Sequence, residues 1–381
     1  MGSLLERDSR YLYKYIPGSR KIKLPMPGSG ASAVLVSINQ EGRRGEPLKP
    51  GRTRIIVYGD SFIAAEGTPL EQTFVTRLER SLDDKLGRPT QVLNAGVPGY
   101  GPDQESLVME DQLDGLKPDL VVLALYSGND FGDLIRNKLY KLDERQQLIT
   151  RHPRLSADLN SQFAEAERQS RFQVVRRARE SVQDLKNSGI AKKVRGFFHA
   201  PAAASADKPA GNADLLRLWL SYHAEEYKNA VVEQDDQVYN LFLDHYDDDV
   251  NLTPHSEASQ YKRLLMERMM ERIQKVAASR KIPLVFLIIP SAYDVVEKWD
   301  VSIDPAVFPE YQRTELTGAL ETIAKTHDYL YVNLFDTFRT HQAQDIYYHR
   351  GDDHWNARGQ QLAADRMAAY IAGSHVLAAA P

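Results

Sequence analysis

Arg54-Ile55-Ile56-Val57-Tyr58-Gly59-Asp60-Ser61-Phe62 is the stretch whose reading decides the rest of the chain. Ile55, Ile56 and Val57 form a β-branched run with the length and flanks of a buried parallel strand. Gly59-Asp60-Ser61 breaks that strand, and an amphipathic segment follows from about Leu70 to Leu86. A serine on the turn between a central strand and a helix presents its hydroxyl at the carboxyl edge of the sheet, where open α/β folds place their sites. Ser61 is therefore a candidate nucleophile. By itself the tripeptide also has the composition of an ordinary polar turn, so its partners decide.

Toward the N-terminus, residues 4–50 are rich in Pro, Gly and basic side chains. The alternating run Ala33–Ile38 within them reads as a short strand or hairpin lying on the main domain. Toward the C-terminus, Val92-Leu93 reads as a second strand and Asn94-Ala-Gly-Val-Pro-Gly-Tyr-Gly101 as a loop too rich in glycine for regular structure. Asp103 is expected to cap a helix running to about Leu116. Leu120–Leu125 is the clearest buried strand, and it ends at Tyr126-Ser-Gly-Asn-Asp130.

The alternation then stops. Residues from about 135 to 252 hold helical pieces (Leu159–Arg179 and Leu215–Ala230) around an Ala/Pro-rich interruption, Ala200–Ala213, read as a linker or loop tip. The basic stretch Arg171–Arg195 reads as a solvated helix face. Asp247-Asp248-Asp249 lacks the spacing and glycine of a calcium loop and reads as a solvated turn. Thr253 and Pro254 then have the form of an N-cap and first helical residue. Tyr261, Leu265, Met269, Ile273 and Val276 follow as one apolar stripe. A strand over Pro283–Ile289, a helix near Tyr311–Thr326, a strand over Leu330–Leu334 and a final helix carrying Ala363, Met367 and Ile371 complete the pattern.

Strands recurring with helices between them predict an α/β fold: a doubly wound, flavodoxin-like, three-layer α/β/α domain with a mostly parallel sheet. Its expected parts are an N-terminal extension (1–52), the core (53–135 and 253–381) and a helical insertion acting as cap or lid (136–252). With 48 basic against 52 acidic residues, the 381-residue chain has no strong global field for nucleic acid. It contains no cysteine, which removes disulfides and thiolate metal sites. No run approaches the ~20 apolar residues of a membrane span. Met1-Gly2-Ser3 reads as an added start, so an extracytoplasmic location is the expectation.

Ser61, the Asn94–Gly101 loop and Asn129 each follow a strand, so in a parallel sheet they share its carboxyl edge, and His354 lies in the loop ahead of the last helix. These four blocks, in this order, resemble those of the SGNH/GDSL hydrolase superfamily over roughly residues 53–135 and 255–375. The resemblance implies Ser61 as nucleophile, His354 as its general base and Asp352 as the carboxylate that orients the imidazole. It also implies an oxyanion hole made by the backbone N–H groups of Ser61 and Gly99 and the side-chain amide of Asn129. The chemistry agrees: a serine hydroxyl needs a positioned base, a carboxylate on the far ring nitrogen fixes the tautomer, and preorganised donors stabilise the developing oxyanion.

Two departures from the family pattern are visible. The usual Asp-x-x-His is shortened to Asp352-x-His354-Trp355, a form similar to that of SGNH-like proteins that acetylate exported polysaccharides. Ser127 stands where the third block usually has Gly. Ser291 and Asp294, after the strand ending at Pro290, are candidate pocket-lining residues. No metal ligand set is expected, because His349, Asp352 and His354 lack a zinc spacing, and no cofactor, because a dinucleotide fingerprint is missing. The function implied is a serine esterase acting on an O-acyl group, acetyl on a carbohydrate being the expected case. The alternatives are an O-acyltransferase using the same residues and a non-catalytic module binding a glycan or a protein.

Overall fold

A computed structural model describes residues 4–24, 33–172, 210–241, 247–296, 299, 303–348 and 352–377. Most of the basic stretch Arg171–Arg195, most of the Ala200–Ala213 interruption, and His349 fall outside the described residues.

Five strands make the central sheet: β1 (Thr53–Tyr58), β2 (Thr90–Asn94), β3 (Leu120–Tyr126), β4 (Leu284–Ile289) and β5 (Tyr331–Asn333). Their spatial order is β2-β1-β3-β4-β5, and every neighbouring pair is parallel. Val57 of β1 pairs with Asn94 on one side and Val122 on the other. From β1 the chain goes to one flank for β2 and then crosses to the other for β3. The order therefore reverses between β1 and β3, and their carboxyl ends form the crevice where such folds bind ligands.

The strands are buried on both faces, and side chains alternating between those faces divide the core in two. Ile55 and Val57 pack with Phe74, Leu78, Ala363 and Met367, from the helices Phe74–Leu86 and Ala357–Gly373 on one face. Ile56 and Tyr58 pack with Met109, Leu265, Met269 and Leu320 on the other face. There the layer comes from the helices Pro102–Leu116, Glu257–Ala278 and Glu315–Thr326. The result is three layers, α/β/α.

Local chemistry shifts several boundaries from their expected places. The helix expected to start at Thr253 is capped instead by Ser256, whose hydroxyl accepts the Ser259 N–H at 3.2 Å. Thr253 is already committed, since its N–H donates to Asp249 O and closes the short helix Asp249–Leu252. Gly101, not Asp103, occupies the cap position of Pro102–Leu116, and Asp103 is buried inside the first turn.

The stretch 136–252 is mixed rather than purely helical. It carries the helices Ala157–Phe172 and Ala210–Tyr227, but also an antiparallel ribbon (Tyr140–Leu142 with Leu148–Thr150) and a two-residue parallel pair (Arg154–Leu155 with Gln237–Val238). The ribbon turns on Asp143, whose carboxylate accepts the N–H groups of Arg145 and Gln147, an Asx-type turn. Residues 4–24 and 33–50 form two further antiparallel ribbons, Leu5–Asp8 with Leu12–Tyr15 and Arg20–Lys23 with Val34–Ser37.

Candidate active site

Ser61 opens a one-turn helix, Ser61–Ala64, directly after β1. Asp60 caps that turn by accepting the Phe62 N–H at 2.9 Å, so its side chain braces the turn. Buried Arg44 donates to Ala64 O at 2.9 Å and to Thr68 O at 2.6 Å, supplying donors to carbonyls the short helix leaves open. The serine is held from both ends.

His354 reaches Ser61 from 293 residues along the chain: its Nε2 lies 2.7 Å from Ser61 Oγ. Nδ1 lies 2.9 Å from Asp352 Oδ1, and the His354 backbone N–H donates to the same oxygen at 3.1 Å. Asp353 Oδ1 is 3.9 Å from Nδ1, and the Asp353 carboxylate is instead hydrogen-bonded by the Tyr126 hydroxyl. Of the two neighbouring acids, Asp352 is the one within reach of the imidazole. Burial pushes the Asp352 carboxyl up, but the hydrogen bonds and charge of His354 outweigh that and leave it below the ordinary carboxylate range.

The loop carrying His354 is fastened by its neighbours. Trp355 is fully buried, donates its indole N–H to Phe62 O at 3.1 Å, and stacks on Phe74. Asn356 caps the last helix by accepting from Arg358 and Gly359. Phe62 itself stacks on the His354 ring with centroids 4.9 Å apart. The Asp-x-His-Trp-Asn run thus joins the imidazole facing Ser61, a buried anchor and a helix cap in five consecutive positions. Trp355 was already part of the motif, whereas the contact of Phe62 with the His354 ring was not read from the sequence; its signal is an aromatic directly after Ser61, as Trp355 directly follows His354.

Gly99 and Asn129 follow β2 and β3, the neighbours of β1. The loop after β2 continues alongside the Ser61 turn, with Ala95 N–H donating to Val57 O and Val97 N–H to Gly59 O. Gly99 has φ +74°, a left-handed conformation that favours glycine. The first ribbon supports this loop: the Tyr13 hydroxyl donates to Pro98 O at 2.9 Å, and the Tyr100 hydroxyl donates to Tyr13 O at 2.6 Å. Asn129 is buried at the head of the helix Asp130–Asn137, and its side-chain oxygen has no partner among the described residues.

Behind these loops lie Asp103, Glu105, Asp130 and Asp133, all buried. Burial and then the surrounding carboxyls push Glu105 and Asp130 well above the ordinary range, and burial raises Asp103 to about 7.

Ser291 and Asp294 do not line an open pocket. Both are buried: Ser291 N–H donates to Ser127 Oγ, and Asp294 accepts the Thr317 N–H. They close the sheet edge from inside, because Ser291 caps the one-turn helix Ala292–Val295 and turns inward. Ser127, the residue that departs from the family pattern, is the other half of that closure. Asp247-Asp248-Asp249 is also corrected, from a solvated turn to a buried one. Its charges are met by Lys262, whose Nζ lies 3.1 Å from Asp247 and 2.7 Å from Asp249, and by His223, whose Nε2 lies 2.8 Å from Asp248. The sequence lacked any local sign of this, since the partners lie on two other helices.

Three groups of acidic and histidine side chains among the described residues converge closely enough to share a cation: His223/Asp247/Asp249, Glu267/Glu271/His327 and Asp352/Asp353/His354. The Lys262 ammonium occupies the first, Arg268 pairs with the second, and the third is the Ser61 site itself. Among the described residues no helix is long and apolar enough to cross a membrane.

Residues 57–362 match the model of the GDSL-like lipase/acylhydrolase family. The chain belongs to that family. It is an SGNH-type hydrolase that acts on esters. Solved structures similar to it include an acetyl xylan esterase, AlAXEase (12% identity, covering 84% of this chain and 99% of that one, TM-score 0.38). Others are the lipase/acylhydrolase from Enterococcus faecalis (13%, 84% and 96%, 0.37) and a lipolytic G-D-S-L family member from Veillonella parvula DSM 2008 (10%, 82% and 94%, 0.35). No curated protein matches the chain.

Proposed function

We propose that this GDSL hydrolase is a serine esterase that cleaves an O-acyl ester through a Ser61 acyl-enzyme. What supports the reading is the continuous contact from Asp352 through His354 to Ser61, at 2.9 and 2.7 Å, between residues far apart in the chain. In the first step His354 Nε2 takes the Ser61 proton as Oγ attacks the ester carbonyl, and Asp352 stabilises the imidazolium. The oxyanion is met by the N–H groups of Ser61 and Gly99 and by the Asn129 amide. Collapse expels the alcohol, which takes the proton from His354. Water, activated by the same base, then releases the carboxylic acid.

An acetyl group on a carbohydrate is the substrate class we favour, from the form of the Asp352-x-His354-Trp355 motif. A sugar hydroxyl replacing water in the second step would make the same residues an acyltransferase, and products formed with and without an acceptor sugar separate the two. The primary test is hydrolysis of p-nitrophenyl acetate together with fluorophosphonate labelling. Wild-type protein is expected to turn over and to label once, at Ser61. Ser61→Ala should lose label and about 10⁴-fold or more in kcat. A wild-type protein that neither labels nor turns over would leave the binding-module reading in its place.

A further inference from the structure

We infer that Asp247 is a positioning residue that sets the place of Asn129, an inference that rests on the oxyanion role proposed above. Asp247 grips the Asn129 turn on both sides. Its backbone N–H donates to the carbonyl of Gly128, immediately before Asn129, at 2.8 Å. Its carboxylate accepts the N–H of Gly132, three residues after Asn129, at 2.6 Å. The Asn129 carbonyl is meanwhile fixed by the N–H groups of Gly132 and Asp133 and by the Arg136 guanidinium at 3.3 Å. The peptide on which the amide is mounted is thus held by a single acidic residue outside its own helix, 118 positions away.

That residue is itself immobilised. Asp247 Oδ1 lies 3.1 Å from Lys262 Nζ, and Lys262 also meets Asp249 Oδ1 at 2.7 Å and His223 Nδ1 at 3.3 Å. Asp247 and Lys262 are each 0% exposed. Lys262 belongs to the long helix packed on the sheet, whereas His223 belongs to the helix Ala210–Tyr227 of the insertion. The fit at Gly132 is close: a Cβ there would stand 2.2 Å from Asp247 Oδ1. A rigid mount matters because an oxyanion donor works only if it already points at the developing charge, and small displacements are costly.

The experiment is a double-mutant cycle between Asp247→Asn and Asn129→Ala, read as kcat and KM on p-nitrophenyl acetate, with folding checked by thermal melting. Asp247→Asn is expected to lower kcat about 10-fold or more with KM within about twofold, the mark of a lost transition-state interaction. In the Asn129→Ala background the same substitution should cost less than about twofold, because the group it positions is gone. Gly132→Ala presses on the clamp from the opposite side and should give the same pattern, and it serves if Asp247→Asn does not fold. Folded Asp247→Asn or Gly132→Ala with unchanged kcat overturns the inference. So does an equal loss in both backgrounds, which would mark a general structural effect. Ser61→Ala assayed alongside separates the two levels: if it stays active the catalytic reading fails, and if it is inactive while Asp247→Asn is not impaired, only the clamp fails.

Discussion

Two histidines in this protein sit beside aspartates at nearly the same distance and are suited to opposite tasks. His354 Nδ1 lies 2.9 Å from Asp352, and His223 Nε2 lies 2.8 Å from Asp248. The His354 side chain is 31% exposed and its second nitrogen faces the Ser61 hydroxyl. The His223 side chain is 1% exposed, and its second nitrogen faces Lys262 and further carboxylates. Burial alone would lower the His223 pKa, but Asp249, Asp248 and Glu226 outweigh both burial and the opposing Lys262, raising it to about 10. A histidine enclosed by carboxylates is pushed toward its charged form, whereas one facing a hydroxyl has a partner with which a proton can be exchanged. The difference lies in what surrounds the pair, since the pair itself is the same.

The largest effect expected from dividing the molecule this way is at the first pair. Asp352→Asn should cost on the order of 10³–10⁴ in kcat by leaving the imidazole without its orienting carboxylate. Asp353→Asn, whose carboxylate is bonded to Tyr126, should cost less than about tenfold; comparable losses from the two would put the orienting role in doubt. The second pair should respond in stability. Lys262→Ala leaves Asp247 and Asp249 buried and unpaired, so the unfolding free energy in urea should drop by about 3–5 kcal/mol. A change below about 1 kcal/mol would mean that the pairing of Lys262 with the buried acids is not a source of stability.

The last effect is a pH dependence. His223 has its folded pKa raised from 6.5 to about 10, so its contribution is complete below about pH 6.5 and is lost as pH rises through about 10. One proton allows a slope of at most about 1.4 kcal/mol per pH unit. Melting temperatures between pH 7 and 10 should therefore fall more steeply for the wild type than for His223→Gln. Parallel curves would show that His223 is not the group titrating.

The strand runs and the four motif blocks were legible because each is local. A β-branched run between turn residues declares a buried strand, and a polar residue directly after it must emerge at the sheet edge. Ser61 and Asn129 are of this kind, Gly99 lies in the glycine-rich loop after the next strand, and the amphipathic stripe from Tyr261 to Val276 is read from its local period. The loop holding His354 is legible by its Asp-x-His-Trp-Asn motif, whereas the separation of its ring from Ser61 is not in the sequence at all. Asp143 could have been read as the hairpin turn it makes, and Ser256 competed with Thr253 as a cap for reasons only the preceding helical turn supplies.

What the chain's order of residues determined alone is the alternation of strand and helix and the set of groups able to do chemistry, since period and turn chemistry act over a few neighbours. The three-dimensional packing decided that Asp247-Asp248-Asp249 is interior and that Ser291 and Asp294 turn inward. It also decided which of two adjacent aspartates meets the imidazole. The reason is that an acid's environment depends on charges brought in from distant helices, and a carboxylate beside a buried lysine is spelled with the same letter as one in water.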